Sequence, residues 1–456
     1  MRPVWAERGG PGGSALMAGI PKSGRRQADS AKRQSDVRGH NLALVLREVH
    51  LRGRVTRAEL TDLSGLNRST IAGLVTDLQG MGLVVDRRPG GGTKAGRPSH
   101  LVTARDDGPY TIAVDIDVDR VVVALVGVGG TVLGRAEAEL PCAVGPATAV
   151  RIVDRTLKRL VAGAPRGSRP SGVGVSVPGT VRREDGVVHA APNLGWSDVP
   201  LAALLSTRLG RRHPGLGVRV GNDADLGARA EHLRGVARGI DDVVYLSGNV
   251  GVGGGIIAGG TALPGARGFG GEFGHMVVQL DGPRCRCGGT GCFEALVGSA
   301  ALYALAGPRY GDGPDGAGRI VAAARAGEPD AARAVQEVAG RLGTGLASVV
   351  NLLDPRMIVV GGFLGEVLDL GGDAVDRAMC RHLTPVGRQA VRVCPPGLGH
   401  DSSLVGAAEL GFDELLDSAL GPRWLGLSAS GWSPRPNAHG VVTGMPVRTT
   451  GARLTG

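Results

Sequence analysis

Aromatic residues are scarce: four Trp, four Tyr and five Phe make up 3% of 456 residues. Val, Leu, Ile and Ala must therefore do most of the packing. No apolar run approaches the roughly 18 residues that span a bilayer, which argues against a transmembrane helix. The N-terminus, Met1-Arg2-Pro3-Val4-Trp5, lacks the apolar stretch of a secretory signal, so a soluble cytoplasmic protein is expected. Cysteines number only six, yet Cys285, Cys287 and Cys292 fall within eight residues. In a cytosolic chain such clustering points to a metal site more than to a disulfide framework. Acidic residues are thin at one end. Residues 1–104 hold 17 Lys+Arg against 8 Asp+Glu, a net of +9, whereas residues 105–456 hold 35 against 34. Nearly the whole excess of +10 thus lies in the first quarter of the chain, where a polyanion is the expected partner. A basic solvated tail is the alternative that charge alone leaves open.

What is abundant is glycine, 79 residues, alongside 42% apolar and 21% charged residues. The length suggests two to four domains, with core enough for each. Residues 1–35 and 422–456 are rich in Gly, Arg, Ser and Pro without apolar periodicity, and are expected to be disordered. The ordered centre divides into 36–104 and 105–421.

The first part reads as a winged helix-turn-helix. Leu42, Val45, Leu46 and Val49 have the spacing of a one-sided helix. Thr56 followed by Glu59 is a capping box that opens a short helix to about Leu63. After the turn Ser64-Gly65-Leu66, Asn67 caps a third helix with Ile71, Leu74, Val75 and Leu78 on its buried stripe. Its other face carries Arg68, Ser69, Ala72, Gly73 and Thr76, small or polar as a recognition helix entering the major groove requires. Leu83–Val85 and Leu101–Thr103 read as strands around a basic wing with Arg87, Arg88, Lys94 and Arg97, which suit phosphate or minor-groove contact. Asn67, Arg68, Ser69, Thr70, Thr76 and those four wing residues are the candidate DNA contacts. A three-helix protein-interaction module is the competing reading.

From residue 110 the pattern changes. Apolar strand runs are expected at Thr111–Asp117, Val121–Val128 and Thr131–Ala138, then a helix over Ala149–Ala162 and a strand at Gly172–Val177. A similar series begins at Val243. Two α/β lobes with Gly-rich turns imply a cleft for a small ligand. His275, Cys285, Cys287 and Cys292 offer one imidazole and three thiolates, a soft tetrahedral set that suits zinc. Four protein ligands leave no open position, so the metal would be structural. The alternative is three buried cysteines beside an unrelated histidine.

Gly271-Glu272-Phe273-Gly274-His275, the cysteine loop, Ala191-Pro192-Asn193-Leu194-Gly195-Trp196, Gly221-Asn222-Asp223-Ala224 and Gly251-Val252-Gly253-Gly254-Gly255 together resemble the ROK family of repressors, open reading frames and sugar kinases. The winged helix extends the likeness to the repressor branch. The resemblance implies a two-lobed actin-like, sugar-kinase ATPase fold with ribonuclease H-like lobes. It implies that zinc sits on the four residues above. It maps sugar contacts onto Gly179, Asn193, Asn222, Asp223, Glu272, His275 and Glu294, with the matched histidine facing both zinc and sugar. Partners would be operator DNA and a sugar or sugar phosphate, and the assembly a homodimer or homotetramer.

ROK kinases carry a first phosphate loop Asp-x-Gly-Gly-Thr. Here Asp115-Ile116-Asp117-Val118-Asp119-Arg120 stands in its place, without either glycine or the threonine. Asp117 and Asp119 would repel a triphosphate. The second loop, Asn249-Val250-Gly251, has lost a glycine and a threonine of the family pattern. The expectation is a sugar-responsive regulator, most simply a repressor, without kinase activity. Asp223, which matches the kinases' general base, becomes a vestigial position. A glucokinase-like kinase fused to a DNA-binding domain is the alternative, and a body used purely for protein docking is a third reading.

Overall fold

In the computed structural model, residues 23–88, 100–141, 143–165, 167–311, 316–385, 387 and 391–417 are described, with side chains from Asp36 to Leu416. The N-terminal unit holds α1 (Ser23–Arg52), β1 (Arg54–Thr56), α2 (Arg57–Ser64), α3 (Arg68–Gly80), β2 (Val84–Arg87) and β3 (Leu101–Ala104). Its strands form one antiparallel sheet in the order β1-β3-β2. The capping box is present as expected: Thr56 Oγ1 accepts from Glu59 N, and Glu59 accepts from Thr56 N at 2.7 Å. Asn67 Oδ1 caps α3 by accepting from Thr70 N at 2.8 Å. Ile71, Leu74, Val75 and Leu78 are buried with Leu42, Val45, Leu46 and Val49.

Two features differ from expectation. The helix α1 begins at Ser23, inside the stretch expected to be disordered. Residues 23–35 are rich in Arg, Gln and Ala, good helix formers that extend a helix already nucleated by a buried stripe. The short strand β1 was not expected, because three residues leave no periodic signal. The tail 422–456, Lys94 and Arg97 lie outside the described residues.

The body contains two five-stranded sheets. The first joins β4 (Tyr110–Ile116), β5 (Arg120–Gly127), β6 (Val132–Glu139), β7 (Pro170–Val177) and β11 (Val218–Asn222) in the order β11-β7-β4-β5-β6. The second joins β12 (Val243–Gly248), β13 (Val252–Ala258), β14 (Thr261–Ala262), β15 (Met357–Gly362) and β16 (Arg392–Cys394) in the order β14-β13-β12-β15-β16. In each, the first three strands are an antiparallel meander and the last two join parallel to the first. The lobes are therefore two copies of one topology. A small sheet of β8 (Thr180–Arg182), β9 (Val187–Ala191) and β10 (Trp196–Val199) caps the first lobe.

The helices α4 (Pro146–Val161) and α5 (Leu201–Leu209) cover one face of the first sheet, over Ile112, Val114, Val123 and Leu125. On the outside of the second lobe stand α7 (Phe293–Val297), α8 (Ser299–Ala306), α9 (Gly316–Arg325), α10 (Pro329–Leu353) and α11 (Phe363–His382), packed around Leu246, Ile358 and Val360. Two helices occupy the seam: α6 (Asp223–Leu233) and α12 (Ser402–Asp417). Ala224 and Ala228 of α6 pack on Val243, Tyr245 and Val359 of the second sheet. Leu404, Ala407, Ala408 and Phe412 of α12 pack on Ala113 and Ala124 of the first. There the helix sits directly on the strand, because a Cβ at Gly174 of β7 would overlap the Ala407 carbonyl oxygen. The same apolar cluster runs on into Leu46, Val49 and Leu74 of the N-terminal unit.

Candidate functional site

The cysteine loop is shaped by short backbone contacts. Cys285 N donates to Gly289 O at 2.8 Å, and Val277 and Cys292 form an antiparallel bridge. Gly291, at φ +69°, lies where any Cβ would overlap Gln279 O. Phe273–His275 is a single 3-10 turn, laid on β13 because a Cβ at Gly274 would overlap Val252 O. These turns bring the ligand atoms of His275, Cys285, Cys287 and Cys292 within 4.8 Å of one another. Cys287 Sγ and Cys292 Sγ are 3.7 Å apart, and Cys285 Sγ is 4.0 Å from His275 Nδ1. A disulfide needs about 2.05 Å. A tetrahedron with zinc–sulfur bonds of about 2.3 Å has an edge of about 3.8 Å, so the donor set fits zinc. Burial, then the two neighbouring thiols, push the Cys292 thiol up to about 12. A divalent cation among them reverses that preference by binding thiolates.

With Nδ1 turned to the thiols, His275 presents Nε2 to Glu272 Oε2 at 3.9 Å. Glu294, in the first turn of α7, accepts from Val252 N at 3.0 Å and lies 3.9 Å from Cys285 Sγ. Asn193 Oδ1 accepts from Arg286 of the cysteine loop at 3.4 Å. Asn222 is the N-cap of α6: its Oδ1 accepts from Ala224 N and Asp225 N, while Nδ2 donates to Gly179 O and Asp223 Oδ1 at 2.9 Å each. Its amide is fully used in fixing the turn, so Asn222 positions its neighbours. A pocket of about 20 Å³ opens between Gly179, Thr180, Asn222, Asp225, Gly254 and Glu272. That volume holds about one water, so a larger ligand enters only as the lobes part. Gly179, Asn222 and Glu272 of the seven expected residues line it; Asp223 and His275 touch the lining residues Asn222 and Glu272, and Asn193 and Glu294 are not among its lining. A larger cavity of about 670 Å³ lies between the N-terminal unit and the first lobe, bordered by Gly53, Arg87, Arg105 and Gly129. Its carboxylates, Asp106 and Asp107, stand beside Arg105, which pairs with Asp107 at 2.6 Å.

Asp225 was missed from sequence. The signal was present in Asn222-Asp223-Ala224-Asp225, where two carboxylates share the first turn of a helix. Burial raises Asp225 to about 7; the nearby Glu272 adds to this and Arg183 opposes it. Burial, then Asp115 and Asp117, raise Asp223 to about 7. Burial raises Asp115 to about 6, with the Ser176 hydroxyl nearby opposing the rise. Acids thus gather between the β4–β5 turn and the start of α6. The amides of that turn point inward: Asp117 N donates to Arg120 O at 2.9 Å and Val118 N to Asp117 Oδ1 at 2.7 Å. The glycine run of β13 is taken up by packing, since side chains at Gly251, Gly253 and Gly254 would press on Glu294, Ala224 and Phe273.

In the N-terminal unit Asn67, Arg68, Ser69 and Thr76 are exposed on one face of α3, with Thr70 half-buried beside them. Ser69 Oγ donates to Asn67 Oδ1 at 2.7 Å and Thr76 Oγ1 to Ala72 O at 2.9 Å. Arg87 and Arg88 are exposed at the base of the wing. Arg88 Nε donates to His100 at 3.2 Å, and His100 pairs with Asp86 at 3.0 Å.

Comparison with known proteins gives the same outline. The xylose repressor of Caldicellulosiruptor bescii is 30% identical over 343 residues, 72% of this chain and 84% of the relative. The glucokinase of Streptomyces coelicolor is 34% identical over 317 residues, 66% of this chain and 96% of the relative. A crystal structure of a ROK family transcriptional regulator, a homologue of the E. coli MLC protein, superposes with a TM-score of 0.68 at 24% identity, over 86% of this chain and 98% of that one. It shares the fold. Among the described residues no helix is long and apolar enough to cross a membrane. The sequence profile of the ROK family matches residues 111–414, about two thirds of the chain, and the protein belongs to that family.

Proposed function

We propose that this protein is a sugar-responsive transcriptional repressor of the cytoplasm. The observation that carries the reading is the α3 face. Arg68, Ser69 and Thr76 are exposed on a capped recognition helix, fused to a body of the same family as repressors of xylose genes and glucokinases. Arg68, Ser69 and Thr76 read bases in the major groove, and Arg87, Arg88, Lys94 and Arg97 hold phosphates or the minor groove. Two copies bind a palindromic operator with half-sites about one helical turn apart.

The effector binds at the seam. Asp223, Asp225 and Glu272 offer acceptors to sugar hydroxyls, Gly179 lines the pocket from the first lobe, and Asn193 and Glu294 complete the wall from the cysteine loop side. His275, Cys285, Cys287 and Cys292 hold a structural zinc. Bound there, zinc supplies no reaction chemistry and locks the loop that carries Glu272 and the sugar-facing nitrogen of His275. Ligand weakens DNA binding by favouring a lobe arrangement that fits the operator poorly.

No phosphoryl transfer is proposed. Asp115 and Asp117 lie against Asp223, and a triphosphate would add negative charge to that group. One observation favours the kinase reading: Asp223, raised to about 7, is matched to general-base work near neutral pH. The deciding experiment incubates full-length protein with ATP, magnesium and a sugar panel, and separately selects duplexes from a randomised DNA pool. A selected palindrome released by one sugar, with no sugar phosphate above background, is the expected outcome. Sugar phosphate without DNA selection overturns it.

A further inference from the structure

One polar cluster outside the cleft joins three parts of the chain. His50, at the end of α1, is fully buried in the body. Gly129 N, in the β5–β6 turn of the first lobe, donates to His50 Nδ1 at 3.1 Å. His50 Nε2 lies 3.1 Å from Glu409 Oε2 of α12 and 2.6 Å from Arg234 Nη2. Arg234, just past the last turn of α6, pairs with Glu409 and donates to the carbonyl oxygens of His50 at 3.3 Å and Gly129 at 3.4 Å. Phe412 of α12 meets the His50 ring edge-on at 4.7 Å.

The other end of α6 is the cleft. Asn222, Asp223 and Asp225 form its first turn, and 11 residues make it a rod of about 16 Å. It is laced to α12 along its length: Ser403 Oγ donates to Asp223 O at 3.2 Å, Arg229 pairs with Asp413, and Glu231 accepts from Ser402 Oγ at 2.8 Å. At the far side α1 is fixed to the recognition helix by Arg38 Nε donating to Asp77 at 3.0 Å and by their shared apolar core.

We infer that His50, Arg234 and Glu409 are positioning residues for the effector response: they form the joint through which α6 passes the state of the cleft to α1 and so to the recognition helix. This rests on the regulator reading above. A buried ion pair that also hydrogen-bonds a histidine cannot be half made, because each group left unpaired keeps its full desolvation cost. The joint therefore moves as one piece when α6 shifts, or breaks. A mere staple would hold the N-terminal unit in place without depending on the cleft.

The test is a binding cycle on full-length wild type, Arg234→Met and His50→Gln. The DNA is the duplex that wild type selects from a randomised pool. The sugar is whichever of D-xylose and D-glucose raises the wild-type melting temperature. Duplex Kd is measured by anisotropy with and without saturating sugar, and sugar Kd by calorimetry with and without duplex. Wild type is expected to lose at least tenfold in duplex affinity on adding sugar, with the reciprocal loss in sugar affinity that linkage requires. Each variant is expected to keep both separate affinities within threefold while the coupling factor falls below threefold. A staple would lower melting temperature and leave the factor intact. An unchanged factor in the folded variants overturns the inference alone, and His50→Gln decides it if Arg234→Met does not fold. A wild type that neither selects a duplex nor answers either sugar overturns the regulator reading, and the inference with it.

Discussion

Glu409 should make the seam sensitive to acid. Burial alone would raise its carboxyl, but the His50 hydrogen bond and the Arg234 guanidinium outweigh burial and hold it at about 2, against 4.5 for the free side chain. A depressed folded-state value means stability that is complete above about pH 4.5 and drains away as pH falls towards 2. The full difference is worth about 3 kcal/mol, and linkage places somewhat under half of the loss by pH 3.5. Glu409→Gln cannot titrate. It should be less stable at pH 6.5, because Arg234 is left buried without its counter-charge. Its stability should then fall less steeply than wild type between pH 5 and pH 3.5. Urea midpoints report the global effect. Amide exchange across 127–131 reports the joint itself, because Gly129 N is bonded to His50. Parallel profiles for the two proteins in that window would refute the ion-pair account of the seam.

Other changes test the cleft, the loop and the reading head. Asp223 has the opposite sign: its raised value means stability present below about pH 4 and lost as pH rises through 7. Asp223→Asn should therefore raise the melting temperature at pH 8, a gain of at least about 1 kcal/mol after discounting for partial exposure, while weakening sugar binding. Cys287→Ser should take bound zinc, measured by elemental analysis, from about one per chain to near none, and sugar response with it. A zinc-free variant that still responds to sugar would separate the two. Arg68→Ala should cost about 1–3 kcal/mol on the selected duplex and relax one base position, whereas Arg87→Ala should weaken all duplexes alike and reduce the salt slope by about 1.

Local chemistry was legible in the sequence and long-range pairing was not. The Thr56–Glu59 box and the Asn67 cap are contacts three residues apart, set by helix geometry, and both stand as read. The four metal-site residues span 18 positions, and their residue types alone name the chemistry. The strand β1 escaped notice because it exists only by pairing with Leu101–Thr103. Asp225 lies one residue past the Gly221–Ala224 motif, and only the folded turn of α6 brings it to the pocket wall. Nothing local marks the joint, where His50 meets Glu409 across 359 positions and Arg234 across 184. A histidine at the end of an amphipathic stripe reads as a surface cap until the body is folded against it.

The glycines of β7 have a mechanical consequence. Where Gly172 and Gly174 lie against Gly411 and Ala407, main chain rests on main chain with no side chains between to repack or yield. Such a seat resists shear and transmits tilt. A rotation of the first lobe's sheet must therefore turn α12 by the same angle, and Gly174→Ala would tilt α12 on the sheet before it changed any ligand contact.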